Sequence, residues 1–248
     1  MGGTDNSRED TIYDVLRNDI LDLKLRPGMI FSIKDIGESY EVGRTPVRDA
    51  LISLSKEGLI TFLPQRGTMI SKIDYDKVRN ERFLRICVEE NVMLEFMAVC
   101  DLKAITGLEM SLDRQVQIEK AGDIRAFLAE DMYFHSIFYS CVNKGYCNDI
   151  LAANSGHYRR IRLLAMSDTG IDPEVVKQHR EILDAVLAKD AERLYGVLNH
   201  HLNRLVRKER PLAAKYPDLF DRENAGVKRE SDELGVDFLV DTKLKYQA

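Results

Sequence analysis

The sequence predicts a mainly α protein built of two unlike parts, and three observations carry that reading. Short helical patterns and one pair of strand-like runs crowd into the segment before Asp74. After Asp74 the strand signals stop, and long amphipathic helical patterns follow one another with short breaks. Apolar residues make up 44% of the 248-residue chain and charged residues 31%, enough for a real core beneath a solvated surface.

In the first part, Ile12, Val15, Leu16, Ile20 and Leu23 fall at helical spacing, so a helix is expected from Glu9 to Leu25. The string "RPG" at Arg26 to Gly28 stops it. A second, short helix fits Ser32 to Tyr40, with Ser32 as its N-cap. A third runs from about Arg44 to Glu57, with Gly58 where a C-terminal glycine cap belongs. "LITFLPQRGTMISKI" then reads as a hairpin turning at "PQRG". Three helices and a hairpin are the plan of a winged helix-turn-helix, expected over 8–73.

The second part is expected as an all-α bundle over 75–210, with helices near 76–101, 104–120, 123–142, 146–166, 172–188 and 190–209. From Pro211 onward the chain is polar and weakly periodic. Residues 211–248 therefore read as a tail, forming a short helix, a docked arm or partly disordered chain.

Charge and cysteines narrow the class. The net charge is −5, yet Val42 to Lys72 holds five cations against two anions, a basic footprint in an otherwise acidic chain. No apolar run approaches the roughly 20 residues a membrane span needs, and the N-terminus lacks a signal-peptide apolar core. Cys87, Cys100, Cys141 and Cys147 lack CxxC spacing and fall in helical patterns, which suggests packed, reduced thiols. A cytoplasmic protein without a membrane partner is the expectation.

Two constellations carry chemistry. On the third helix, at 100° per residue, Val47, Ala50, Leu51 and Leu54 form a buried stripe, while Thr45, Arg48 and Ile52 point away and Arg44 sits at the start. Pro46 is tolerated in the first turn. Such a helix offers its positive end and free backbone amides to phosphate, and Arg48 to base edges. Arg66, beside Gly67, suits a wing tip. The second constellation lies in the bundle. Asp131 and His135 interrupt the apolar stripe Ile124, Phe127, Leu128, Phe134, Phe138. His179 falls in the stripe Val176, Leu183, Val186, and His201 in the stripe Leu194, Val197, Leu198, Leu205, whereas His200 points about 100° away. A buried carboxylate is costly unless paired or bound to metal. One aspartate and three histidines are donors that zinc, nickel, cobalt or manganese accept.

The stretch from Leu25 to Ser71, "LRPGMIFSIKDIGESYEVGRTPVRDALISLSKEGLITFLPQRGTMIS", resembles the DNA-binding domain of the GntR family of bacterial transcription regulators. The elements P-G, R-T-P-V-R, A-L, E-G-L and R-G stand at family spacing. Gly43 departs from the usual Ser or Thr; glycine still caps a helix, but without a hydroxyl for phosphate. The resemblance implies that Lys34, Arg44, Thr45, Arg48 and Gly67 touch DNA.

From about Tyr75 to Arg210, "RICVEE", "DMYFH", "QHREIL" and "HHL" resemble the FadR-type subfamily, whose all-helical FCD domain binds ligands. That resemblance implies that Asp131, His135, His179 and His201 hold a divalent metal, zinc first, with nickel, cobalt and manganese as alternatives. A small carboxylate effector would meet the metal and nearby arginines. Arg85, in an R-x-x-x-E register, and Arg162 are the candidates to hold it, with a surface or interhelical salt bridge as the alternative for each, and Asn154 and His157 are expected to line the cavity. The expected protein is a homodimeric regulator, more often a repressor in this family, reading double-stranded operator DNA under control of a small organic acid. Two rivals are a metal sensor, in which the metal is itself the signal, and a metalloenzyme fused to a DNA-binding domain. The enzyme reading lacks an evident second inward carboxylate as base. The metal, the effector, the operator and the sign of regulation are not legible in the sequence.

Overall fold

The computed structural model describes residues 11–221, a winged helix-turn-helix followed by an all-α bundle. The expected helix start at Glu9, the domain start at residue 8 and the tail over 222–248 lie outside the described residues.

Helix α1 (Ile12–Leu21) begins at Thr11, whose hydroxyl accepts from the Asp14 amide while the Asp14 carboxylate accepts from the Thr11 amide. It is shorter than expected, because the chain turns away through Leu23 at φ 57°. The Gly28 amide then donates to the Ile70 carbonyl at 2.8 Å, laying the next residues along the sheet. They form β1 (Ile30–Phe31), too short to show periodicity in the sequence. Helix α2 (Ile33–Ser39) has the expected Ser32 cap, completed by Asp35. Helix α3 (Arg44–Lys56) starts at Gly43 without a side-chain cap. It ends in a left-handed Gly58 at φ 71°, with the Leu59 amide bonded to the Leu54 carbonyl and the Gly58 amide to that of Ser55. Strands β2 (Ile60–Leu63) and β3 (Gly67–Ile70) make the expected hairpin. With β1 the sheet has three antiparallel strands in the order β1-β3-β2, one more than periodicity predicts. Leu16, Ile20, Val47, Leu51, Leu54 and Ile70 fill the core of this part, each 1% exposed or less.

The bundle comprises α4 (Tyr75–Val99), α5 (Leu102–Ala121), α6 (Ile124–Cys141), α7 (Gly145–Ala153), α8 (Gly156–Thr169), α9 (Glu174–Leu187), α10 (Ala191–Asn203) and α11 (Val206–Lys215). Two expected helices are each a pair. The pattern over 146–166 breaks at Asn154 and Ser155, between α7 and α8. Gly156 there faces the winged part so closely that a Cβ would lie 2.6 Å from Cδ2 of Leu59. The pattern over 190–209 breaks after Asn203, and α11 then runs through Pro211 to Lys215. A helix ending at this proline is the expectation from sequence, because proline removes a helical hydrogen bond. Tertiary contacts hold the turn instead: Arg82 of α4 pairs with Glu209, and the Tyr75 hydroxyl donates to the Glu209 carbonyl at 2.8 Å.

Beyond α11 the chain returns to the junction of the two parts. Phe220 is 1% exposed and stacks on Tyr75 with ring centroids 5.2 Å apart. The Ile73 amide donates to the Leu219 carbonyl, and the Asp221 amide to that of Ile73. Residues 211–221, expected as the start of a polar tail, thus belong to the fold. Among the described residues no helix is long and apolar enough to cross a membrane. All four cysteine thiols are free.

Phe220→Ala should cost roughly 3–5 kcal/mol, the range for truncating a buried aromatic. Urea unfolding would read this as a lower midpoint, and an unchanged midpoint would mean that the returning arm contributes nothing to stability.

Candidate functional site

On α3 the stripe falls where the periodicity puts it. Val47, Ala50, Leu51 and Leu54 are buried, while Arg44, Thr45, Arg48 and Ile52 are exposed. Among the described residues neither Arg44 nor Arg48 is ion-paired, so both charges are free toward solvent beside uncapped backbone amides. Lys34 is exposed on α2 and lies 3.6 Å from Glu38, an exposed pair worth little. Arg66 is exposed at the β2–β3 turn, after Gln65 at φ 58°. Gly67 sits at φ 108°, and a Cβ there would stand 2.6 Å from the Phe31 carbonyl oxygen, so both conformation and space require glycine.

In the bundle, α6, α9 and α10 bring Asp131, His135, His179 and His201 together. All four are buried, with one ligand atom from each lying within 4.8 Å of the others. A metal held at ~2.0–2.2 Å would draw that set closer together. The hydrogen bonding fits a bound cation. His179 Nδ1 lies 2.7 Å from Oε1 of Gln115, and His201 Nδ1 lies 3.1 Å from Oε1 of Gln178. With those nitrogens donating to amide oxygens, the two Nε2 atoms carry lone pairs and face each other at 3.3 Å. Neither Asp131 oxygen has a hydrogen-bond partner, although Arg162 lies 2.7 Å from Oδ1 as an ion pair. Phe134 stacks on the His179 ring at 4.4 Å and fixes its plane. Burial drives the His179 and His201 imidazoles down from their ordinary pKa, keeping them neutral and able to ligate. Burial alone would raise Asp131, but Arg162 and then His179 and His135 hold its carboxyl well below the usual range.

The other expected ligand-binding residues separate. Arg162 reaches the cluster. Arg85 points at Glu89, with Nε to Oε1 at 2.5 Å. Asn154 is exposed and bonds the Ile150 carbonyl of its own helix, because α7 ends there. His157 is buried but belongs to the junction of the two parts: its Nδ1 accepts from the Asp74 amide at 3.0 Å. Neither stands at the cluster, since the helix expected to run through them is interrupted at Asn154 and Ser155.

Three residues at the site were not expected from sequence. Gln115 continues the stripe Leu108, Leu112 on α5, the same polar-in-apolar signal that exposed Asp131. Gln178 neighbours His179 on a helix buried over a wide arc. Glu89 is 2% exposed with Oε2 3.0 Å from His135 Nδ1. It is a second inward carboxylate, contrary to expectation, and it is engaged by Arg85 and His135.

Two family models match this chain: bacterial regulatory proteins of the gntR family over residues 8–70, and the FCD domain over residues 83–204. An HTH-type transcriptional regulator from an unstable DNA locus of Streptomyces ambofaciens is 33% identical over 91% of this chain and 94% of its own. The chain belongs to the GntR family. This GntR-family protein is a DNA-binding transcriptional regulator of the GntR/FCD type. It is also similar to the repressor RspR of Escherichia coli K12, 27% identical over 86% of this chain and 93% of that one. Among solved structures, a GntR transcriptional regulator from Rhodococcus sp. RHA1 shares its fold at TM-score 0.67 and 23% identity, covering 83% of this chain and 97% of that one. E. coli McbR/YncC does so at TM-score 0.65 and 18% identity, covering 82% and 96%.

The junction titrates. Burial first, then Arg160 and Lys77, push His157 down to about 2, so it stays neutral in the folded chain. The unfolded chain binds that proton near 6.5, so stability attributable to His157 is present above pH 6.5 and is lost as the pH falls below it. Relative to His157→Gln, the wild type should lose stability at a slope approaching ~1.4 kcal/mol per pH unit below that point. Urea unfolding of both proteins between about pH 7 and pH 5 checks it; parallel curves would contradict the buried neutral imidazole.

Proposed function

We propose that this protein is a homodimeric repressor that reads double-stranded operator DNA through α3 and the wing and is released or retained by a small organic acid. The acid meets a divalent metal held by Asp131, His135, His179 and His201. Zinc suits these donors first, with nickel, cobalt and manganese as alternatives. Three neutral imidazoles and one carboxylate leave a divalent ion with net positive charge, which favours an anionic ligand. Relatives named as repressors, RspR and GlaR of E. coli K12, support the sign of regulation.

The observation that carries the reading is the placement of α8. Its middle holds Arg162 against Asp131. Its first turns lie on the winged part: Gly156 against Leu59, His157 on the Asp74 amide, and fully buried Arg160 donating to the Ser71 carbonyl at 2.6 Å. A ligand carboxylate that draws Arg162 from Asp131 therefore acts on the helix that positions the wing. Such a ligand shifts DNA affinity only if it binds the two placements unequally. Arg162 also lines a cleft with Arg204, Lys208 and Asp172; Asp172 pairs with both Arg204 and Lys208, and the three cations outnumber the one carboxylate. Dimerisation suits the outer face of α4, where Phe83, Leu84 and Leu94 are exposed, and a two-fold dimer matches a palindromic operator.

Arg48→Ala should weaken operator binding more than tenfold, the loss of a base contact of roughly 1–3 kcal/mol. Gel shifts on the native promoter region read this, with circular dichroism confirming the fold, and unchanged affinity would remove α3 from the interface. His201→Ala should abolish zinc uptake and lower the melting temperature of the zinc-treated protein, while His200→Ala, exposed one residue away, should do neither. Elemental analysis of tag-free protein separates the two outcomes. DNA release on chelation alone, with no organic acid present, would favour the metal-sensor reading instead.

A further inference from the structure

Glu89 and Arg85 form a charge pair beside the histidine cluster. Both sit on α4, four residues apart, and Glu89 is among the most buried carboxylates of the bundle at 2% exposure. One Glu89 oxygen is taken by Arg85 at 2.5 Å. The other lies 3.0 Å from Nδ1 of His135 as an ion-pair contact, and neither of those two atoms makes a hydrogen bond. Isolated charges are expensive in such surroundings, so a pair aimed at one imidazole calls for an explanation.

The other two histidines supply the context. His179 and His201 each rest their Nδ1 on a glutamine oxygen, from Gln115 and Gln178, which turns Nε2 toward the cluster. Glu89 stands in the same place for His135, but as a carboxylate. A neutral amide oxygen orients an imidazole; a carboxylate also makes it a stronger donor to a metal. The set is therefore asymmetric, with one histidine of three charge-assisted. Arg85 balances the charge and holds the carboxylate in line.

We propose that Glu89, braced by Arg85, is the positioning residue that orients and strengthens His135 as a metal ligand, so that holding the effector carboxylate falls to Arg162 and not to Arg85. This rests on the metal reading above. It reassigns the two arginines: Arg162 pairs with the ligand residue Asp131 itself, whereas Arg85 pairs one step behind a ligand.

Zinc alone is the first probe, titrated into the full chain against a chromophoric chelator. Glu89→Gln keeps the shape and removes the charge, and zinc affinity should fall about 10–100-fold. Because that variant leaves Arg85 unpaired, the double variant Arg85→Met/Glu89→Gln is measured beside it. Its affinity should match the single variant within about threefold, and its metal-free melting temperature should equal or exceed the wild type's, since a buried pair removed together is often neutral. Zinc affinity within about twofold of wild type in both variants would overturn the proposal while leaving the metal site standing, provided His201→Ala abolishes binding. A wild-type chain that takes up no zinc, nickel, cobalt or manganese would overturn both. The second probe is acetate, titrated into cobalt-loaded proteins and read in the visible spectrum. Arg162→Gln should weaken acetate about tenfold, as for a lost charge-assisted hydrogen bond, and the Arg85/Glu89 double variant should not. The reverse ranking would return Arg85 to the effector and overturn the reassignment.

Discussion

A carboxylate with no access to solvent must be compensated where it stands, and Asp131 imposes that demand on the whole bundle. Arg162 answers it from α8, and His179 approaches to 3.6 Å from α9. His135 and His201 complete the set from α6 and α10. Around them a second ring answers the polarity of the imidazoles: Gln115 from α5, Gln178 from α9, Glu89 and Arg85 from α4. Helices α4, α5, α6, α8, α9 and α10 thus each contribute polar atoms to one buried locus. Both Asp131 oxygens and both His135 nitrogens have no hydrogen-bond partner, so ion pairs and the hydrogen bonds of His179 and His201 hold the locus together.

The junction between the two parts obeys the same logic. Arg160 is fully buried, and its guanidinium and His157 direct their hydrogen bonds to backbone groups of the linker and of α8 itself. Glu81 of α4 accepts from the Tyr158 amide at 2.7 Å, closing the start of α8, where Ser155 provides no side-chain cap. Burial raises Glu81 to about 7, against the pull of the α8 amides and Arg160. Tyr158 carries the arrangement inward, since the guanidinium carbons of Arg85 and Arg162 lie 5.9 and 5.8 Å from its ring centre. The first turns of α8 are therefore committed to the winged part, and its middle to the histidine centre. One helix thus touches both places.

The winged part contrasts with this. Its core is apolar apart from the buried Thr68, and its charges lie outside. Among the described residues, Arg44 and Arg48 escape pairing because the buried stripe on α3 claims the opposite face, and Arg66 escapes because the turn ahead of Gly67 projects from the sheet. Exposed, unpaired cations carry little self-energy in water and remain available to an anionic partner.

Local pattern was enough for much of this. The α3 stripe, the Ser32 cap and the Gly58 terminus were legible, because each depends on residues within a turn or two of one another. Asp131, His135, His179 and His201 were legible for the same reason, each being a polar residue in a regular apolar stripe. Periodicity failed where distant contacts decided the outcome. Strand β1 exists only because β3 pairs with it, and α7 and α8 separate beside Leu59. Helix α11 outruns Pro211 while Arg82 and Tyr75 hold it, and Phe220 is buried because Tyr75, far away in sequence, lies beside it in space. Asn154 and His157 fall at a cavity only if one helix is extended through a break. By itself, then, the sequence determined which residues face a core and which polar groups are drawn into it, since both depend on short-range geometry. Only the tertiary structure decided which buried partners those groups meet, because a charge such as Asp131 is met by Arg162 and His179, whose distance in sequence carries no periodic trace.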